Sequence, residues 1–374
     1  MKLSRRQIIL APFAFGAIAL ERKAFAAKPR QSATPNSQAV RKRAIERGLR
    51  FVYRTARVAK NFAEHGDDYL WCFYTIAATA ADPELAALAR RMGEERALAW
   101  RRLHPRVPPK ADADEVSSLA FGSHAAGLLG LRDARMQEDL RRAAGRFGAR
   151  DFLRFDPTRE PPPEDVPDTC SRCDSENERG RRRCTTCGNK LAMKSPYDVL
   201  CDALIATYTG DRYGVRLGAS YADVAALIPR LRPYRGYENG KNANFMDTAY
   251  AVTHIVYTMN DYGTYRLKPE WLPQEFDFLL ANFGASIELD DPETMGEFVD
   301  TLKAFGLTDR DPVIDAGVEF LIEAQNADGS WGKRTDKEVY QRYHPTWTAV
   351  DGLRDYAFRG EGVSFPQALE RAKG

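Results

Sequence analysis

Residues 311–332 read Asp311-Pro312-Val313-Ile314-Asp315-Ala316-Gly317-Val318-Glu319-Phe320-Leu321-Ile322-Glu323-Ala324-Gln325-Asn326-Ala327-Asp328-Gly329-Ser330-Trp331-Gly332. Asp311 followed by Pro312 opens a helix, an N-cap acceptor before a residue whose φ is already helical. Ile314, Gly317, Val318 and Leu321 then fall on one apolar stripe. Asp328-Gly329 supplies a turn. That turn lets Trp331 pack back on the Gln325 end of the helix.

The same helical punctuation extends in both directions. Amphipathic segments are predicted near 38–63, 67–80, 83–103, 113–130 and 133–153. They resume near 197–208, 221–231, 245–261, 272–284, 293–305, 312–326, 346–358 and 366–373. Between the two groups, Pro157 to Pro167 contains Pro161-Pro162-Pro163 and reads as a stiff linker. Strand-period alternation is scarce. The fold class is therefore all-α, either a ring of paired helices, an α/α toroid, or an irregular bundle.

Residues 317–332 resemble the glutamine–tryptophan repeat of the terpenoid cyclase and protein prenyltransferase superfamily. Tyr343-His344-Pro345-Thr346-Trp347-Thr348-Ala349 is similar to the start of the next helix in those proteins. The resemblance spans about 311–356 and implies an α/α toroid. Residues 38–156 and 196–374 would form its two parts, with 157–195 inserted. The fold hosts unrelated activities, so function does not follow from it. The acid motif of the cyclases is missing. Its nearest approach, Glu288-Leu289-Asp290-Asp291, reads better as a helix cap before Pro292, with Glu293 at the positive end of the helix. No Asp, Cys and His set of the prenyltransferase kind stands out either.

The inserted segment carries Cys170-Ser-Arg-Cys173 and Cys184-Thr-Thr-Cys187-Gly188. Two Cys-x-x-Cys pairs this close bring four thiolates around one tetrahedral ion, the zinc-ribbon arrangement. Two disulfides or a redox pair are the alternatives. Four protein ligands leave no open position, so the expected zinc is structural. Arg179, Arg181, Arg182 and Arg183 lie between the knuckles and read as a solvated hairpin tip. Cys72 and Cys201 sit in apolar patterns and read as buried thiols.

At the start, Ser4-Arg5-Arg6-Gln7-Ile8-Ile9-Leu10 reads as a twin-arginine signal. An apolar run to Leu20 and Ala24-Phe25-Ala26 before Ala27 complete a cleavable leader over residues 1–26. The run is too short to span a bilayer comfortably, though a short anchor is the alternative. The expectation is export by the twin-arginine translocase to the periplasm or beyond. That route carries folded proteins, so metal can be loaded in the reducing cytoplasm. Removing the leader takes away five basic residues and Glu21, so the net charge of +3 becomes −1. A near-neutral chain has no global field for nucleic acid or anionic membrane, and no nucleic-acid partner is expected.

The segment from Phe245 to Asp261 carries two stripes. Phe245, Ala249, Val252, Val256 and Met259 are apolar. Asp247, Tyr250, His254, Tyr257 and Asp261 recur at the same spacing almost opposite. These groups want partial burial with hydrogen bonds, so the stripe is expected to line a cavity. His254 would serve there as general base or acid. A buried polar network is the alternative. Asp247, His254 and Asp261 stand about 10 Å apart along the helix, too far for one metal ion without other helices.

His344 is placed at a cavity rim, His124 in the core, and His65 and His104 as exposed terminators. Tyr69, Trp71 and Tyr74 form a second cavity wall or core. No nucleophile elbow, phosphate loop or dinucleotide fingerprint is present. Three functions fit these residues. One is an exported cavity enzyme similar to the cyclases but without their acid. Another is a polysaccharide lyase using Asn244, His254, Tyr257 and Arg266. The third is a non-catalytic protein binding a lipid or glycan.

Overall fold

A computed structural model describes residues 35–373 with the exception of Asp174 and Lys337. The leader expected at residues 1–26 lies outside the described residues. Among these residues the chain is all-α, with isolated β-bridges and no strand. No helix among them is long and apolar enough to cross a membrane.

The helices are α1 (Pro35–Ala56), α2 (Ala59–Thr79), α3 (Pro83–Leu103), α4 (Ala113–Leu128), α5 (Ala134–Ala144), α6 (Ala149–Leu153) and α7 (Pro196–Tyr213). They continue with α8 (Tyr221–Ala225), α9 (Ile228–Leu231), α10 (Phe245–Met259) and α11 (Pro273–Glu288). The last are α12 (Pro292–Ala304), α13 (Pro312–Glu323), α14 (Tyr340–Leu353) and α15 (Pro366–Lys373). Starts follow local chemistry. Asp82 and Asp291 accept from backbone amides of α3 and α12, and Ser195 caps α7; each precedes a proline. Asp311 also precedes its helix, yet its carboxylate turns backward to accept from the Thr308 amide, 2.7 Å.

Neighbour relations close a circuit. Helix α2 touches α4, α4 touches α7, α7 touches α10, α10 touches α12, α12 touches α14, and α14 returns to α2. The intervening helices lie outside it: α1 against α14 and α2, α3 against α2 and α4, α11 against α10 and α12, α13 against α12 and α14. Burial follows this order. Every residue of α12 from Thr294 to Ala304 is buried, as befits a helix surrounded by protein. Helix α13 buries only Ile314, Gly317 and Leu321.

The stretch 311–332 packs as its sequence suggests. Trp331 is fully buried and its Nε1 donates to Leu321 O at the end of α13, 2.7 Å. Gln325 Nε2 donates to Ala44 O of α1, 2.8 Å. Gly317 lets α13 approach α12 and α11: a Cβ there would lie 2.3 Å from Val299 Cγ2 and 2.9 Å from Phe283.

Several expectations need correction. The segment 38–63 divides at Arg57 and Val58 into α1 and the start of α2. The segment 133–153 divides at Gly145–Gly148 into α5 and α6, where glycine favours an end to the helix. Helix α14 begins at Tyr340 and carries Pro345 inside it, where a start after Pro345 was expected. Asp261 is not helical: α10 ends at Met259, and Asp261 takes a left-handed φ of 58° in the turn.

Candidate functional site

Among the described residues no helix lies between Leu153 and Pro196, and this span carries the four cysteines. Their ligand atoms all lie within 4.8 Å of one another and can hold a metal ion. Cys170 and Cys187 sulfurs stand 3.5 Å apart, as do those of Cys173 and Cys184, so all four are free thiols. The second knuckle turns on Gly188 at φ 73°, with its amide donating to Cys184 O, 2.9 Å. Thr186 N approaches Cys184 Sγ at 3.4 Å, the kind of amide contact that stabilises a thiolate. Arg181, Arg182 and Arg183 are exposed.

A separate cavity of about 40 Å³, room for a few waters, lies within the circuit. Helix α2 supplies Thr75, α10 supplies His254 and Tyr257, α12 supplies Glu297 and Asp300, and α14 supplies His344, Trp347 and Asp351. Arg354, just past α14, closes the set. The Arg354 guanidinium is 2% exposed, pairs with Asp351, and stands 3.6 Å from Asp300. Burial and Asp300 push the Asp351 carboxyl up to about 7, against the pull of Arg354. Beyond Arg354, burial brings the Lys303 ammonium down to about 8. Its Nζ donates to Gly352 O and Arg354 O at 2.8 and 2.9 Å.

Glu297 is different. It is buried, and burial together with Glu293 pushes its carboxyl well above the ordinary range. Hydrogen-bond accounting agrees. Thr253 Oγ1 lies 2.7 Å from Glu297 Oε2 and 3.0 Å from Tyr250 O, with one proton to give. A protonated Glu297 donating to Thr253 leaves Thr253 free to donate to Tyr250 O. His254 Nδ1–H donates to the same carbonyl, 2.8 Å. The tautomer is assigned from this bond.

The five residues of the expected stripe are not gathered in one place. His254 and Tyr257 line the inner cavity. Tyr250 lies ring to ring with His254 at 4.1 Å. Asp247 stands toward the N-terminal end of α10, bonded by Ser195 and near Lys194, and burial raises its carboxyl. Asp261 lies past the other end, accepting from Tyr208 Oη at 2.6 Å and pairing with Arg212 at 2.9 Å. The opposite stripe, Phe245, Ala249, Val252, Val256 and Met259, is buried.

Among the lyase candidates, Asn244 is exposed, and Arg266 is exposed and paired with Glu361 at 2.6 Å. Neither joins His254 and Tyr257 at the cavity.

His344 is deeper than a rim. It is buried, and its Nδ1 stands 2.9 Å from Glu293 Oε1. His65 is no exposed terminator: α2 starts at Ala59, so His65 falls at a kink inside it, 5.2 Å from the Tyr343 ring. His104 caps α3 and packs on Trp100 at 4.1 Å, with burial lowering its pKa to about 4. His124 is in the core, and burial lowers its pKa to about 3. Cys72 and Cys201 are buried.

Sequence reasoning missed Glu297, Asp300, Asp351 and Arg354. A signal was present. Glu297 and Asp300 are three apart, and His344, Trp347 and Asp351 repeat the 3/4 spacing already noticed in α10.

A larger chamber of about 130 Å³ lies between the cysteine segment and helices α2, α4 and α7. Pro167, Thr169 and Asn177 face Asp67 and Asp68 of α2, and Ser118 and Phe121 of α4, across it.

No family model matches the chain, and no curated protein and no solved structure matches it.

Proposed function

We propose that this chain is an acid–base enzyme working inside an α/α toroid, on a small polar substrate or the polar end of a larger one. The closed circuit of six helices with others outside it supports the toroid reading. One observation carries the chemistry: the cavity within the circuit brings the carboxyl of Glu297, held protonated by burial, together with the imidazole of His254. In hydrolysis, His254 Nε2 takes a proton from water while Glu297 gives one to the leaving oxygen. The two then exchange protons through solvent, so one water is consumed and both groups are restored. Asp300, Asp351 and Arg354 hold the polar frame.

The cavity is too small and too charged for a polyprene, so the cyclase reaction is not the one proposed. A uronate-cleaving lyase is also disfavoured. Carboxyls outnumber cations around the larger chamber described above, and a polyanion would be repelled there.

The four cysteines are proposed to hold zinc. Zn–S bonds of about 2.3 Å set tetrahedral edges of about 3.8 Å, within the 3.5–4.8 Å range the sulfurs occupy. Metal analysis of protein purified without chelator is expected to find one zinc per chain. Its absence, with the cysteines oxidised, would end this reading.

The test of the enzymatic reading is incubation of purified protein with bacterial polar, glycan and lipid extracts, followed by mass spectrometry. Products that have gained water are expected from the polar fraction. Retention of an unchanged ligand without turnover would make this a binding protein.

The leader reading is carried as a proposal of export. Changing Arg5 and Arg6 both to Lys is expected to leave unprocessed precursor in the cytoplasm. Normal processing of that double variant would show the signal to be misread.

A further inference from the structure

The cysteine segment has almost no core of its own. Its buried cluster is Cys170, Cys184 and Leu191, packed by Cys173, Cys187 and Met193. Apart from the thiols, two apolar side chains cannot offset the entropy of ordering such a segment. Metal–thiolate bonds are what fold modules of this kind. Yet this segment supplies a wall of the 130 Å³ chamber, through Val166, Pro167, Thr169 and Asn177. It is tied to the helices by Arg154, which pairs with Asp114 of α4 at 2.9 Å and with Glu176 at 2.7 Å. Lys194 adds pairs with Asp198 and Asp202 of α7, at 3.3 and 2.7 Å.

The chamber stands above the inner cavity. Helix α2 gives Asp68 to the chamber and Thr75 to the cavity, seven residues and about 10 Å apart along the axis. Helix α10 repeats the step. Asp247 lies beside the chamber residue Lys194, and His254 lines the cavity. Tyr343 links the two linings: its Oη donates to the chamber residue Asp68 at 2.7 Å, and the next residue, His344, lines the cavity.

We propose that metal binding at the four cysteines builds one wall of this chamber, and that the chamber is the entrance through which ligand reaches the inner cavity. The entrance role rests on the proposed enzymatic reading; the wall does not. The chamber lining includes Glu64, Asp67, Asp68, Asp114, Glu176 and Asp202 together with His65, Arg154 and Lys194. Ligands that enter are therefore neutral or cationic and rich in hydrogen-bond donors, such as hydroxyl or ammonium groups.

Hydrogen exchange read by mass spectrometry tests the wall without any substrate. Three samples are compared: the zinc-loaded chain, the chain stripped by chelator and then reloaded, and Cys184→Ser. Stripping and the substitution are expected to speed exchange by ~10-fold or more over residues 164–194 and in the facing stretches 64–68 and 113–121. Helices α10, α12 and α14 should keep their protection, and reloading should restore the rest. Change confined to 164–194, or loss throughout α12 and α14, overturns the wall. Equilibrium dialysis then tests the entrance with chitobiose, its deacetylated form and a galacturonate dimer. Retention of either of the first two by the loaded chain but not by Cys184→Ser is expected. Retention of neither, or preference for the galacturonate, overturns the entrance role.

Discussion

Glu297→Gln is expected to lower turnover by about 10²- to 10⁴-fold, the usual contribution of a positioned acid, while the protein stays folded. The amide has the shape of the protonated carboxyl and can still donate to Thr253, so the chain of bonds to Tyr250 O survives. Only the transferable proton is lost. The linkage sign adds a second readout. Glu297 has a folded pKa raised above its ordinary 4.5 by burial and by Glu293, Asp291 and Asp300. The folded protein therefore holds this proton more tightly than the unfolded chain does, and stability falls as pH rises from about 4.5 toward the folded value. The Gln variant should flatten that slope. Activity of the parent should fall on the alkaline side as Glu297 ionises. Unchanged turnover in Glu297→Gln, with substrate in hand, would remove Glu297 from the mechanism.

Arg354→Ala is expected to cost about 3–5 kcal/mol, the range for removing one partner from a buried charged set. Four groups converge on this guanidinium: Asp351, Asp300 at 3.6 Å, Thr79 Oγ1 at 2.9 Å and Tyr356 Oη at 3.0 Å. The side chain is buried, and the small cavity beside it leaves the carboxylates little water in its place. Truncation strands two carboxylates that α12 and α14 hold in the protein interior. Urea unfolding measures the loss. Adding Asp351→Asn to an Arg354→Met background should recover part of it by removing one stranded charge. A loss below about 1 kcal/mol for Arg354→Ala would mean that the pair is screened as a surface bridge is.

Local signals read well because local forces decide them. Proline after Asp marked the starts of α12 and α13, since φ and the first unsatisfied amides are set within a few residues. The Gly317, Gln325 and Trp331 pattern predicted a packed turn, and Trp331 is buried against α13. The two Cys-x-x-Cys pairs predicted a four-sulfur cluster, because a knuckle brings its own two sulfurs together and the short intervening span joins the pairs. His65 failed because its context was misjudged: α2 starts earlier than its pattern suggested, at Ala59.

What the sequence determined by itself was the helical class, the order and approximate extent of the helices, the four-cysteine cluster that can hold a metal ion, and a polar face on α10 with His254 in it. Which polar residues share a cavity was decided only by the tertiary structure. Glu297 and Asp300 are polar positions on a helix like many others until α10 and α14 pack beside α12 and remove their water. Desolvation is a sum over neighbours distant in sequence, as Thr75 and Asp351 are, and no short window contains it. The same holds at the other end of the stripe. Spacing placed Asp261 in line with His254, but the helix stops at Met259, and packing hands Asp261 to Tyr208 and Arg212.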